Sequence, residues 1–217
     1  MISIIVADDH HLVRKSIVSL IEKWEGMEVV GEAADGHGAL KLVRQKRPDL
    51  AIVDIAMPMM NGIETTRQIQ SLSVGTKVVI LSMHTDKRVV RQSLRCGAKG
   101  YLLKKSFAEE LMIAIRSVGQ GGTYLSPSIA KTVVSDYLRT DLADEASTVI
   151  DQLSSREREI VQLIVEGFTN KAVAQVLNIS SRTVEKHRAA LMKKLNVTSL
   201  PELILKATEY RIAFLVD

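Results

Sequence analysis

Short apolar runs alternate with longer amphipathic stretches over the first 118 residues of the chain. The runs lack strict alternation, which indicates strands buried on both faces, and they read ISIIVA, MEVVGEA, DLAIVD, KVVILS and GYLLK. Between the first two runs, apolar residues recur at helical spacing from Val13 through Ile17 to Trp24. This order predicts a (βα)5 doubly wound α/β domain with a parallel sheet.

The pattern changes after residue 118. Glycines at 119, 121 and 122 and the pair Ser126-Pro127 are typical of a break, and residues 129–138 are compatible with one short helix. Residues 139–152 are polar and acidic, which favours a linker. We therefore predict a first domain over residues 1–120, a partly helical linker over 121–150, and a second domain over 151–217.

The second domain carries the signals of four helices. Ser154 or Ser155 caps the first helix, Thr169 the second, and Ser180 or Ser181 the third. A fourth helix follows Pro201. The second and third helices are joined by a three-residue turn, which predicts a helix-turn-helix in a small all-α domain.

Composition narrows the class of protein only a little. The 217 residues are 46% hydrophobic and 25% charged, as in ordinary globular proteins, and the net charge of +4 does not by itself indicate nucleic acid. No apolar run is long enough to span a membrane, so we expect a cytoplasmic protein without a membrane partner. Cys96 is the only cysteine, which excludes an intrachain disulfide and a cysteine metal cluster.

Polar side chains stand where four of the five predicted strands end. These are Asp8 and Asp9, Asp54, Ser82 and Lys104. The carboxyl ends of parallel strands share one edge of a sheet, so these side chains should meet there. An all-oxygen site suits Mg²⁺ better than zinc, and Lys104 with Ser82 would bind an anion such as a phosphoryl group.

The surrounding motifs resemble the receiver domain of two-component response regulators. Residues 54–62 fit the pattern D-x-x-M-P-x-x-x-G, and AKGYLLK at 98–104 fits the last strand. The resemblance implies that Asp54 accepts a phosphoryl group from a sensor histidine kinase, with Mg²⁺ or Mn²⁺ as cofactor. It also implies metal ligation by Asp9, Asp54 and the Ala56 carbonyl, ordering of the site by Asp8, phosphate sensing by Lys104, and switching by Ser82 with Tyr101.

Two alternatives and one departure accompany this interpretation. An aspartate-nucleophile phosphatase would need a second aspartate two residues after Asp54, where Ala56 stands. A receiver that works without phosphate is disfavoured by the complete pocket. His10 and His11 are interpreted as residues of a helix start. Many receivers place proline after the lysine, whereas this chain has Lys105, which leaves the geometry of that peptide open.

Residues 153–195 resemble the LuxR-type helix-turn-helix of the NarL/FixJ regulators. The matching positions include Thr169-Asn170, Thr183-Val184, His187 and Lys194-Leu195. The family positions that reach bases in the major groove fall on Glu185, Lys186 and Ala189. Other residues are expected to contact phosphates or to position the helix: Asn170, Lys171, Arg182, Thr183, His187 and Lys193.

The two resemblances together predict a transcription factor that is controlled by phosphorylation and is not an enzyme in the usual sense. Its expected partners are a sensor histidine kinase, promoter DNA, RNA polymerase, and a second copy of the chain at least after phosphorylation. The alternative is a C-terminal module that serves as a protein-binding platform without direct DNA contact.

Overall fold

The computed structural model describes residues 1–72, 74–137 and 150–214. The chain divides into two compact units, residues 1–140 and 141–217. No helix of the described residues is long and apolar enough to cross a membrane. The predicted domain limits at 120 and 150 stay a prediction.

The first unit is a parallel sheet with helices on both faces, so the predicted doubly wound class is confirmed. Its strands lie in the order β2-β1-β3-β4-β5-β6. Their bounds are β1 Ile2–Ala7, β2 Met27–Ala33, β3 Leu50–Asp54, β4 Lys77–Ser82, β5 Gly100–Leu103 and β6 Tyr124–Leu125. The helices are α1 His11–Ile21, α2 Gly36–Lys46, α3 Gly62–Ser71, α4 Lys87–Arg95, α5 Phe107–Gly119 and α6 Pro127–Tyr137.

The central strands are apolar on both faces because helices cover both. Every residue of β3 is buried. Helices α1 and α5 pack on one face, and α2, α3 and α4 on the other. Ile4, Ile52 and Leu81 from three strands pack with Ile17 of α1 and Ile115 of α5 in one core. This core fixes where each strand ends, and therefore where the polar residues after it stand.

Residues 121–137 pack in the first unit. Strand β6 adds a sixth strand, with the Tyr124 N–H donating to Lys99 O (3.0 Å) and the Ser126 N–H to Tyr101 O (2.9 Å). Helix α6 then packs on α4, where Val90, Leu94 and Val133 line the junction. A strand of two half-buried residues has no periodicity, so the apolar pattern predicts five strands, whereas the sheet of the described residues has six.

The second unit consists of helices in its described part: α7 Ser155–Val165, α8 Asn170–Val176, α9 Ser181–Lys194 and α10 Leu200–Glu209. The caps left open by the sequence are resolved, since Ser154 accepts from the Glu157 N–H and Ser180 from the Thr183 N–H. Asn178, in the turn before α9, has a φ of 52°. Apolar positions of α7, α9 and α10 form the core of the unit.

Candidate functional site

Three carboxylates and one ammonium meet at the carboxyl edge of the sheet. Asp8 and Asp54 are almost fully buried, and the side chain of Asp9 is 14% exposed. The Lys104 Nζ lies 2.8 Å from Asp54 Oδ2 and 2.9 Å from Asp8 Oδ2. We call Asp8, Asp9, Asp54, Ser82 and Lys104 the acidic pocket, and the structure brings these predicted residues to one sheet edge.

Local sequence fixes Asp54 at the end of β3. Its Oδ1 accepts the N–H of Ile55 at 2.8 Å, so the carboxylate is held from its own loop. The Gly62 N–H donates to Ile55 O at 2.9 Å, which folds the loop back onto the strand end. A Cβ at Gly62 would lie 2.0 Å from the carbonyl oxygen of Asp54. Only glycine fits this position, which gives a steric reason for the motif glycine.

Among the described residues, negative charge exceeds positive charge in the pocket. Three carboxylates face the Lys104 ammonium, and burial of like charge is costly unless a cation or donors compensate. Burial raises the pKa of Asp54 from 3.8 to about 6, with Lys104 opposing the rise and Asp8 adding to it. For Lys104, burial would lower the pKa, but the Asp54 and Asp8 charges outweigh it and raise the pKa overall. At neutral pH Asp54 is therefore mostly ionised and Lys104 is charged.

The donor set fits a divalent cation. One carboxylate oxygen from each of Asp8, Asp9 and Asp54, together with a ring nitrogen of His10, lie within 4.8 Å of one another. Such atoms are close enough to share one ion, and oxygen ligands predominate, as hard cations prefer. Ala56, whose carbonyl is a predicted ligand, lies two residues after Asp54 in the β3–α3 loop and is partly exposed.

The predicted switch pair occupies neighbouring strands β4 and β5. Ser82 is fully buried, and its Oγ accepts the His84 N–H at 3.0 Å. The Tyr101 ring is also fully buried, and its hydroxyl donates to His84 O at 2.8 Å. Burial raises the pKa of the Tyr101 hydroxyl, so it stays a proton donor. The ring of Tyr101, one of the two predicted switch residues, therefore lies inside the domain in this structure.

Several supporting residues were not anticipated. Arg14 of α1 donates from Nη1 to the carbonyl oxygen of Asp8 at 2.6 Å and holds the end of β1. Ser126, at the start of α6, accepts the Leu103 N–H at 3.2 Å and donates a short hydrogen bond to Glu110. Arg14 lies inside a helix, and Ser126 follows a strand of only two residues that the apolar pattern does not predict, so the strand-end pattern singles out neither. The peptide between Lys104 and Lys105 is trans, and residues 104–106 form one turn of 3₁₀ helix.

Helix α9 of the second unit exposes the residues that were predicted to face DNA. Arg182, Glu185, Lys186, Ala189 and Lys193 are exposed, as is Lys171 of α8. The opposite side of α9 is buried at Val184, Leu191 and Leu195. The helix thus has one apolar and one polar side, and the polar side carries more positive than negative charge.

The remaining predicted contacts of this unit are half-buried. The Thr183 hydroxyl shares a hydrogen bond of 2.8 Å with Ser180 Oγ at the helix start. Asn170 Oδ1 lies 3.5 Å from Arg188 Nη1, and His187 is partly covered. These positions suit orientation of the helix better than reaching deep into a groove.

One lysine of α9 forms an ion pair with another helix of the same unit. The Lys194 ammonium lies 2.7 Å from the Glu157 carboxylate, which also accepts from the Ser154 backbone N–H in a capping box. Burial raises the pKa of Glu157, but the Lys194 and Ser154 hydrogen bonds outweigh it and hold the pKa below its ordinary value. Lys194 therefore ties α9 to α7, which its place in a run of basic residues did not reveal.

Two family models match the chain. The response regulator receiver domain matches residues 4–116, and the luxR family of bacterial regulatory proteins matches residues 151–207. Together they cover the acidic pocket and helix α9.

Similar proteins extend the match to nearly the whole length. The oxygen regulatory protein NreC of Staphylococcus epidermidis is 39% identical over 213 residues, covering 96% of this chain and 98% of its own. The transcriptional regulatory protein DegU of Brevibacillus brevis is 33% identical over 218 residues, covering 95% and 92%. The crystal structure of a LuxR-family two-component response regulator from Aurantimonas is 34% identical, with a TM-score of 0.62 over 64% of this chain and 99% of that one.

Proposed function

The chain belongs to the two-component response regulators that carry a LuxR-family DNA-binding domain, and from this membership we propose that phosphorylation of Asp54 controls promoter binding by helix α9. The family comprises regulators of transcription rather than enzymes in the usual sense. The observation that carries the proposal is a buried carboxylate at the end of β3, 2.8 Å from a lysine ammonium and beside two further carboxylates.

Asp54 is the nucleophile of the proposed reaction. A carboxylate oxygen of Asp54 attacks the phosphorus of the donor, the bond to the donor atom breaks, and an acyl phosphate forms. The leaving group departs with the electron pair of the broken bond. Asp54 is competent for this because its pKa of about 6 leaves it mostly ionised at neutral pH. The proposed donor in the cell is the phosphohistidine of a sensor kinase.

Other residues of the pocket stabilise the transferred group. The Lys104 ammonium donates a hydrogen bond to Asp54 Oδ2 and is therefore placed to donate to a phosphoryl oxygen on that side chain. Its raised pKa keeps it charged. Asp9, Asp54 and the Ala56 carbonyl would hold Mg²⁺ or Mn²⁺, and Asp8 would order the site. A bound divalent cation supplies neutralisation of the phosphoryl oxygens during in-line transfer.

The response to phosphorylation is proposed to pass through Ser82. The Ser82 hydroxyl now accepts a hydrogen bond from the His84 N–H, and it can give up this bond and donate to a phosphoryl oxygen instead. Because the Tyr101 hydroxyl bonds the carbonyl of the same His84, a shift of this loop alters the support of the tyrosine ring. The β4–α4 loop is therefore the first segment to respond, and a second copy of the chain is the expected partner of the altered face.

In the second unit we propose that α9 enters the major groove. Lys186, Glu185 and Ala189 lie on its exposed side, and the first two lie in the first half of the helix, where bases are reached. Arg182, Lys171 and Lys193 add positive charge for the phosphates, with Thr183, His187 and Asn170 orienting the helix. RNA polymerase is a further expected partner.

The acceptor is tested by incubation with Mg²⁺ and a small phosphodonor, followed by intact mass. We expect one added phosphoryl group in the wild type and in Asp49→Asn, a matched control at an exposed aspartate one residue before β3. Asp54→Asn should gain none. Unchanged addition in Asp54→Asn would show that another side chain is the acceptor.

The groove assignment is tested by a salt series on promoter DNA. Each phosphate contact contributes about 0.9 to the slope of log K against log salt, so losing Arg182 or Lys193 should flatten the slope by about that amount. Lys186→Ala should weaken binding and relax base preference. Lys206→Ala is the control, because this lysine lies on α10 with its ammonium 5.5 Å from the Tyr210 ring. Equal binding by Lys186→Ala and the wild type would favour a protein-binding platform.

A further inference from the structure

The imidazole of His10 lies against the carboxylates of the acidic pocket. His10 stands at the N-cap of α1, which agrees with a helix-start position, but its side chain makes no capping hydrogen bond. Its Nδ1 lies 2.7 Å from Asp9 Oδ1 and 3.5 Å from Asp8 Oδ1. The ring therefore points towards the two carboxylates and does not cap the helix.

The backbone holds the ring in this place. The His10 N–H donates to Asp8 Oδ1 at 2.9 Å, so the residue is tied to the buried carboxylate through its main chain. Lys104 lies 2.9 Å from the other oxygen of Asp8, Oδ2. The two oxygens of Asp8 thus face different groups, and a cation beside His10 would not have to displace the Lys104 ammonium from Oδ2.

The spacing of the donor atoms suits one ion. Ligand atoms bound to one transition metal at about 2.0–2.2 Å lie at most about 4.4 Å apart. Here the nitrogen of His10 and one oxygen each of Asp8, Asp9 and Asp54 lie within 4.8 Å of one another before any ion draws them together. Adjustments of a few tenths of an ångström would complete such a set.

An imidazole changes which cations the pocket prefers. Carboxylate ligands alone suit Mg²⁺, whereas imidazole strengthens binding of later transition metals such as Co²⁺, Ni²⁺ and Zn²⁺. We propose that His10 is a direct metal ligand and makes the acidic pocket a mixed carboxylate–imidazole site selective for these cations over Mg²⁺. The proposal rests on the proposed function only in assuming that a divalent cation binds at these carboxylates.

The test compares metal binding by the full-length wild type, His10→Ala, His10→Gln and His11→Ala at one fixed pH. His11 is the matched control, because it is the next residue, is exposed, and is not part of the donor cluster. Calorimetry gives the affinities for Co²⁺ and Mg²⁺. Pulsed electron paramagnetic resonance of bound Mn²⁺ reports whether a ring nitrogen is coupled to the metal.

Both His10 variants should lose at least about tenfold in Co²⁺ affinity. Removing a group that only supports a metal ligand already costs about that much, and removing the ligand itself should cost no less. Their Mg²⁺ affinity should stay near that of the wild type, and the nitrogen coupling should vanish in both and persist in His11→Ala. An unchanged ratio of Co²⁺ to Mg²⁺ affinity, or a coupling that survives in His10→Ala, would overturn the inference while leaving the Mg²⁺ site of the proposed function intact. Absence of any metal binding in the wild type would refute both.

Discussion

Ionisation of the buried Asp54 should make the first unit less stable at neutral pH, and Asp54→Asn should relieve this cost. The side chain is 3% exposed, and burial raises its pKa from 3.8 to about 6. Below pH 3.8 the carboxyl is protonated in the folded and the unfolded chain. Between pH 3.8 and about 6 the unfolded chain releases the proton and the folded chain keeps it, so the free energy of unfolding falls as the pH rises.

The size of the effect follows from the pKa difference. Each pKa unit corresponds to 1.36 kcal/mol, so a rise of about two units costs about 3 kcal/mol once the pH exceeds 6. The asparagine side chain of Asp54→Asn has nearly the same shape as the aspartate and carries no charge at any of these pH values. Lys104 keeps Asp8 at 2.9 Å in the variant, so its ammonium is not left without a carboxylate. We expect Asp54→Asn to gain about 1–3 kcal/mol at pH 7.5 and little at pH 4.

Urea unfolding followed by Trp24 fluorescence measures this effect in the intact chain. Trp24 is the only tryptophan of the sequence and packs at the core of the first unit, so its signal reports that unit alone. A chelator keeps divalent cations from lowering the pKa of Asp54. Asp49→Asn is the control in which stability should change in the opposite direction, because hydrogen bonds from Ser3 hold the pKa of Asp49 below its ordinary value. That variant should lose stability above pH 3.8, and the loss should shrink as the pH falls.

The decisive quantity is the difference between pH 7.5 and pH 4. If Asp54→Asn gains the same stability at both, the gain comes from something other than charge burial. If it is less stable than the wild type at pH 7.5, the ion pair with Lys104 outweighs the desolvation of Asp54. Either result would refute the electrostatic account of the pocket.

Three further substitutions test the supports around the two sites. Gly62→Ala places a Cβ 2.0 Å from the carbonyl oxygen of Asp54 and should cost about 1–3 kcal/mol in the same fluorescence assay. Ser126→Ala leaves the buried Leu103 N–H without its acceptor and should cost about 1–3 kcal/mol in that assay, whereas an unchanged midpoint would show that the Ser126 hydroxyl does not stabilise β5. Glu157→Gln weakens the ion pair with its lysine partner on α9, so circular dichroism should show a lower melting temperature of the second unit. That deficit should be present above pH 4.5 and shrink as the pH falls below it, because the folded pKa is lowered.

The acidic pocket was predictable because it depends on where strands end. Buried strands are the strongest pattern in this sequence, and the residue after each one is fixed to the same edge of a parallel sheet. Asp8, Asp54 and Lys104 could therefore be brought together from the pattern alone, and the helix-turn-helix from caps and apolar spacing. The first argument uses only the end of each buried strand, and the second only the caps and the apolar face of each helix. Both features follow directly from the order of apolar and polar residues.

The features that sequence did not predict are those that depend on side-chain direction or on very short elements. The sequence indicates only that His10 belongs to a helix start, yet its ring turns back to Asp9, with Nδ1 2.7 Å from Asp9 Oδ1. Lys194 stands in a run of basic residues of α9, yet its ammonium lies 2.7 Å from the Glu157 carboxylate and ties α9 to α7. In both cases residue type and spacing allow two orientations, and only the packing of the neighbouring backbone selects one. In the metal site proposed above, the affinity for Co²⁺ depends on the rotamer of His10, which motif matching cannot supply.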